Sequence, residues 1–92
     1  MEREVRDNPE RQRYELVVDN QIVSIADYER NGDTVTVPHI ETDPQHRGQG
    51  MADSLMVGVL ADLRSRGRRI VPVCPYAAAY LDAHPDQQDL LA

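Results

Sequence analysis

Phe, Trp and Lys are all missing from these 92 residues, and Cys occurs once. With four Tyr as the only aromatics, the interior has to be built from Val, Ile, Leu, Met and Ala. The lack of Lys excludes a Walker-type phosphate loop, which needs that side chain on the phosphates. One Cys cannot close an internal disulfide, which points to a reducing compartment. No apolar run approaches the ~18 residues of a membrane span, and Met1 to Asp7 has no apolar segment of the signal-peptide kind. A cytoplasmic protein is therefore expected, with no membrane contact.

Positive charge is also in short supply. Ten Arg stand against sixteen Asp and Glu, for a net charge of −6. Nucleic-acid binding, which leaves a surplus of basic charge on one face, is excluded on that balance. The length allows one domain with a modest core, so a bound cofactor or partner subunit would add appreciably to its stability. A monomer or weak homodimer is expected.

What is present falls into two periods. Residues 1–12 are charged and read as a flexible N-terminal tail; residues 13–92 read as the single domain. From Arg13, Tyr14, Leu16 and Val18 alternate with Glu15, Val17 and Asp19, the pattern of a half-buried strand. Asp19-Asn20 marks a turn, and Gln21 to Glu29 continues as a second strand through Val23, Ile25 and Tyr28. Asn31-Gly32 suits the centre of a type I′ turn and leads into a third strand, Thr34 to Ile40. The first half is thus an antiparallel three-strand meander.

Ala52, Leu55, Met56, Val59, Leu60 and Leu63 then recur at helical spacing, so a helix is expected from about Gly50 to Arg66, with Gly67 as its left-handed stop. Ile70 to Cys74 reads as a short apolar strand covered on both faces. Pro75 opens a second helix that His84-Pro85 ends, and Asp86 caps a last short one. The crossover from strand three through the helix makes the fourth strand parallel to the third. The fold class is α+β, a mixed sheet with helices packed on it, in the order βββαβα.

Gln45-His46-Arg47-Gly48-Gln49-Gly50-Met51-Ala52 is the segment with chemistry in it. It joins a strand to the start of an amphipathic helix, where free N–H groups and the helix dipole favour an anion. Gly48 and Gly50 either let the backbone approach a phosphate or only make the turn. A dinucleotide fingerprint does not fit, because Asp53 stands at the third glycine position.

Gln45-x-x-Gly48-x-Gly50, following an antiparallel meander, resembles the acyl-CoA pyrophosphate loop of the GNAT superfamily of N-acetyltransferases. Val71-Pro72-Val73-Cys74-Pro75, Ala78-Ala79-Tyr80 and His84-Pro85 follow in the order and spacing of its minimal branch. The resemblance implies a GNAT-like α/β sandwich, acetyl-CoA as cofactor and an amine acceptor, small molecule or protein. It implies cofactor contacts from Ile40, Glu41 and Thr42, from Gln45, Arg47, Gly48, Gln49, Gly50, Met51 and Ala52, and from Cys74, Pro75 and Tyr80. It also implies that the strands carrying Pro38 and Pro72 splay apart to admit the thioester arm. No metal is called for. The first strand and two helices of larger members have no counterpart here, which leaves acceptor identity open. A non-catalytic acyl-CoA-binding module acting through a protein partner is the alternative.

Three side chains are the catalytic candidates under this resemblance. His39 serves as base, toward either Cys74 or the incoming amine. Cys74, at a helix N-terminus, is a nucleophile or proton donor, or else a buried small hydrophobe. Tyr80 protonates the leaving thiolate or packs on the sheet, with Tyr76 one turn earlier as its competitor. A bulge near Pro38 would reverse the face on which His39 lies. Arg64, Arg66, Arg68 and Arg69 lie at the far end of the helix from the loop and read as partners of the helix C-terminus.

Overall fold

The computed structural model describes residues 2–92. Five strands form one sheet in sequence order: β1 (Arg3–Asn8), β2 (Arg13–Val18), β3 (Gln21–Asn31), β4 (Thr34–Thr42) and β5 (Arg69–Pro72). The first four make an antiparallel meander, and β5 joins β4 in parallel through helix α1 (Met51–Ser65). Helix α2 (Pro75–Ala83) follows, and 3-10 turns occupy Pro44–His46 and Pro85–Leu90.

The tail expected at residues 1–12 is instead an edge strand with its own turn. β1 pairs with β2 from Arg3↔Val18 to Asn8↔Arg13. Its charged residues hide the alternation, because only Val5 is apolar on the side that meets α1. There Gly58 gives way to it: a Cβ at that glycine would lie 2.3 Å from the Val5 Cβ. The meander therefore has four strands, not three.

All the buried apolar side chains belong to one cluster between the sheet and its helices. Leu55, Met56, Val59, Leu60 and Leu63 of α1 meet Tyr14, Leu16, Val35 and Val37 of the sheet, and Ala77 and Leu81 of α2 join the same cluster. Both helices thus lie on one face. Tyr14 donates to Asp62 at 2.6 Å and Tyr28 to Asp7 at 2.7 Å, so each core ring keeps its hydroxyl paired. The other face of the sheet has no helix on it. Glu15 points there and is nonetheless buried, held by Arg6 and Arg13 at 2.9 Å each and by Asn8 at 3.2 Å.

Two expectations shift by local geometry. Both positive-φ residues of a two-residue turn fall at Asp19-Asn20, whereas the next turn is Gly32-Asp33 with Gly32 alone at positive φ. Asn31 pairs with Thr34 and closes the strand. The strand expected at Ile70 to Cys74, covered on both faces, is an edge strand ending at Pro72, with Val73 exposed. Of the arginines near the end of α1, Arg66 pairs with Asp62 of the same helix, whereas Arg64 and Arg69 reach instead to the Pro85–Leu90 segment, at the Asp89 carboxylate and carbonyl.

Candidate active site

The site begins where β4 and β5 part. Their last paired residues are Val37 and Pro72, and the Cys74 N–H still reaches the Val37 carbonyl at 2.9 Å. Beyond that point β4 runs on to Thr42 with no neighbour on the β5 side. Proline on each strand contributes: Pro38 and Pro72 have no N–H to continue a ladder. The Asp43 N–H turns back to the Val23 carbonyl at 2.8 Å. By strand alternation, the amides of Ile40 and Thr42 then face the open edge.

A bulge sits at the same place. Asp27 pairs with His39 and Glu29 with Thr36, so Tyr28 alone opposes both Val37 and Pro38. The extra residue in β4 resets the alternation. Val35 and Val37 face the core, but His39 and Glu41 face the side without helices. His39 is about half exposed, and its Nε2 lies 3.4 Å from the Glu41 carboxylate.

Below the open edge lies the glycine turn. Gly48 and Gly50 both adopt the left-handed conformation, at φ 77° and 73°. No side chain caps α1. Among the described residues, no protein acceptor is found for the amides from Gln49 to Asp53. Asp43 fixes the approach, its carboxylate accepting from the Gln45 N–H at 3.0 Å.

Two adjoining cavities follow this geometry. One, of about 200 Å³, is lined by Thr42, His46, Arg47, Gly48, Gly50, Met51, Ala52, Asp53 and Tyr76. The other, of about 400 Å³, has His39, Ile40, Glu41, Thr42, Arg47, Ala52 and Tyr76 in its wall. Buried Nδ1 of His46 has no partner. A tethered diphosphate matches this donor set: uncapped amides, the Arg47 guanidinium and an orphaned imidazole nitrogen, with open space beside Gly48 where a Cβ would otherwise project.

Nine of the expected residues line these walls, His39 to Thr42, Arg47, Gly48 and Gly50 to Ala52; Gln45 and Gln49 flank them in sequence, and Cys74, Pro75 and Tyr80 do not line them. Cys74 is buried with the core at the start of α2. Tyr80 is stacked on the His84 ring with centroids 3.9 Å apart, and Pro75 likewise stays outside the walls. The phenol on the wall is Tyr76, which donates its hydroxyl to Asp53 across the two helix starts. Burial first, and then this bond to a carboxylate, push the Tyr76 hydroxyl well above its ordinary range, so it keeps its proton.

Arg3 has no signal in the sequence at all. From β1 it donates to the carbonyls of Gln49 and Gly50 at 3.1 and 3.4 Å and to the Ser54 hydroxyl at 2.8 Å. Among the described residues no group of acids, His and Cys is arranged to hold a metal, and no helix is long and apolar enough to cross a membrane.

The structure thus sets a mixed sheet, splayed at one edge, beside an uncapped, glycine-led helix. The profile of the GCN5-related N-acetyl-transferase family matches residues 13–90, and the chain belongs to that family. A search of curated proteins finds no match. Among solved structures, a GCN5-like putative N-acetyltransferase from Staphylococcus aureus superposes with a TM-score of 0.73 at 18% identity, over 97% of this chain and 87% of that one. The ribosomal-protein-S18-alanine N-acetyltransferase of Escherichia coli gives 0.63 at 22%, over 79% of this chain and 50% of the other. AAC(6')-Iy, in complex with the bisubstrate analogue CoA-S-monomethyl-acetylneamine, gives 0.52 at 17%, over 82% and 58%. These likenesses show a shared fold.

Proposed function

We propose that the protein is an acetyl-CoA-dependent N-acetyltransferase that acetylates an amine directly. One observation carries this reading: the open edge of β4 after the Val37–Pro72 pair lies next to the free amides of the glycine turn, so one extended ligand can use both.

Acetyl-CoA, when bound, supplies an activated acetyl thioester. The amides of Gln49 to Ala52, with Arg47 and His46, hold its diphosphate. Ile40 and Thr42 offer edge amides to the arm, and one of them polarises the thioester carbonyl. His39 stands on the other side of the same edge. There it takes a proton from the incoming ammonium and leaves a nucleophilic amine. Glu41 orients the imidazole. As the C–S bond breaks, the proton still on the attacking nitrogen passes to the departing thiolate through the Tyr76 hydroxyl, which turns from Asp53 to relay it and ends protonated. Cys74 and Tyr80, set among core groups, support α2 behind it. Fixing the reacting groups along one edge accounts for most of the gain, since positioning can remove about 7–11 kcal/mol of barrier.

The test is release of free thiol from acetyl-CoA with a panel of amines. Amine-dependent release that falls more than tenfold in His39→Ala supports the transferase. Binding of CoA without amine-dependent release assigns the protein instead to the acyl-CoA-binding modules.

A further inference from the structure

We propose that the bare face of the sheet beside His39 is a docking groove for a cationic polypeptide, whose amine is the acceptor. The acceptor role rests on the transferase reading above; the docking does not. A groove of about 240 Å³ crosses this face, lined by Ile22 to Ile25 of β3, with Glu41, Asp43 and, from β2, Arg13 on its rim. Ile22, 41% exposed, gives this otherwise charged face an apolar surface. Glu41 lines both this groove and the cavity that contains His39, so the two adjoin at that side chain. A chain lying in the groove has its next few atoms at the imidazole.

The charge on this face selects the occupant. Asp27, Glu29 and Glu41 share its orientation along β3 and β4, as the pairings with His39, Thr36 and Ile25 show. Arg13, opposite Asp27, lines the groove itself, but its guanidinium is drawn to Glu15, which leaves the carboxylates of this face in excess. Arg6 and Arg13 close on Glu15, and Arg69 turns to the carbonyls of Asp89 and Leu91. A second copy of this chain carries the same net charge of −6 and is repelled. The groove is shallow and spans parts of three strands, each about 4.8 Å wide, with Ile22 and Ile25 as its apolar part. That shape gives a small amine no enclosure. It suits an extended segment with an aliphatic side chain against Ile22 and basic groups at the rim.

The experiment titrates the ¹⁵N-labelled full chain with a short peptide of Arg and Leu bearing a free N-terminal amine, and with its Asp and Leu counterpart. Amide shifts at Ile22, Ile25 and Glu41 with the basic peptide alone, weakened about tenfold by Ile22→Ser, are expected. In turnover, Ile22→Ser raises the KM for the basic peptide at least tenfold and leaves the KM for acetyl-CoA unchanged. No shift with the basic peptide, equal shifts with the acidic one, or equal occupation by a small diamine overturns the docking. Shifts without thiol release leave the docking standing and overturn the transferase reading; release without shifts does the reverse.

Discussion

Arg3 reaches from the first strand to the carbonyl of Gln49, 3.1 Å away, and so ties the N-terminus to the turn that opens α1. With both carbonyls drawn toward the guanidinium, the N–H groups that share their peptide planes, those of Gly50 and Met51, are turned the opposite way, away from Arg3. Arg3 is a positioning residue in this arrangement. Hydrogen bonds to a charged group are worth about 1.5–3 kcal/mol. Arg3→Ala is expected to weaken CoA binding about tenfold, with a smaller loss in Arg3→Lys. Isothermal titration measures the affinity, and a wild-type value in Arg3→Ala would remove the residue from this role.

Gly58 and Val5 allow a packing test. Alanine in mid-helix normally gains about 1 kcal/mol over glycine. Here its Cβ would fall 2.3 Å from the Val5 Cβ, so overpacking of about 1–3 kcal/mol outweighs the gain. Gly58→Ala should lower the midpoint of denaturant unfolding, and Val5→Gly in the same chain should relieve the clash. A stabilised Gly58→Ala would show that β1 is free to move away.

Glu15 sets an acid limit on stability. Burial alone would raise its carboxyl, but hydrogen bonds from Arg13, Arg6 and Asn8 outweigh that and hold it below the ordinary glutamate range. The unfolded chain, near the usual ~4.3, therefore takes up the proton more readily. The contribution is complete above that value and is lost as pH falls through the depressed folded pKa. Glu15→Gln should lose about 1–3 kcal/mol at neutral pH and show a shallower decline in acid. Urea unfolding from neutral pH downward compares the two slopes.

The two tyrosines of α2 separate by position. Tyr76→Phe is expected to lower kcat at least tenfold with little change in the KM for acetyl-CoA. Tyr80→Phe should stay within about threefold, because its ring packs on His84.

Cys74 offers a matching contrast. In a direct transfer, Cys74→Ala keeps turnover within about threefold and costs stability, as the thiol belongs to the core cluster. Trapping of an acetylated Cys74 by mass spectrometry would replace direct transfer with a two-step route.

The period of the apolar residues made α1 and the three strands from Arg13 legible, since burial of one face leaves its spacing in the chain. Gly48 and Gly50 made the turn before α1 legible because its backbone is left-handed at both positions. β1 left no such trace: an edge strand with one apolar contact needs no alternation. Which tyrosine meets the cavity was not legible either. Tyr76 and Tyr80 lie one turn apart on α2, and the angle at which that helix meets α1 follows from packing around Leu81 and Ala77. The bulge at Val37 and Pro38 is equally silent, because a surplus residue shows only against its partner strand.

That surplus residue divides β4 by task. Strict alternation from Val37 would press His39 and Glu41 into an aliphatic interior, where neither polar group could find water. One irregularity lets a single ribbon serve as scaffold for its first half and as workbench for its second, with no loop between the two.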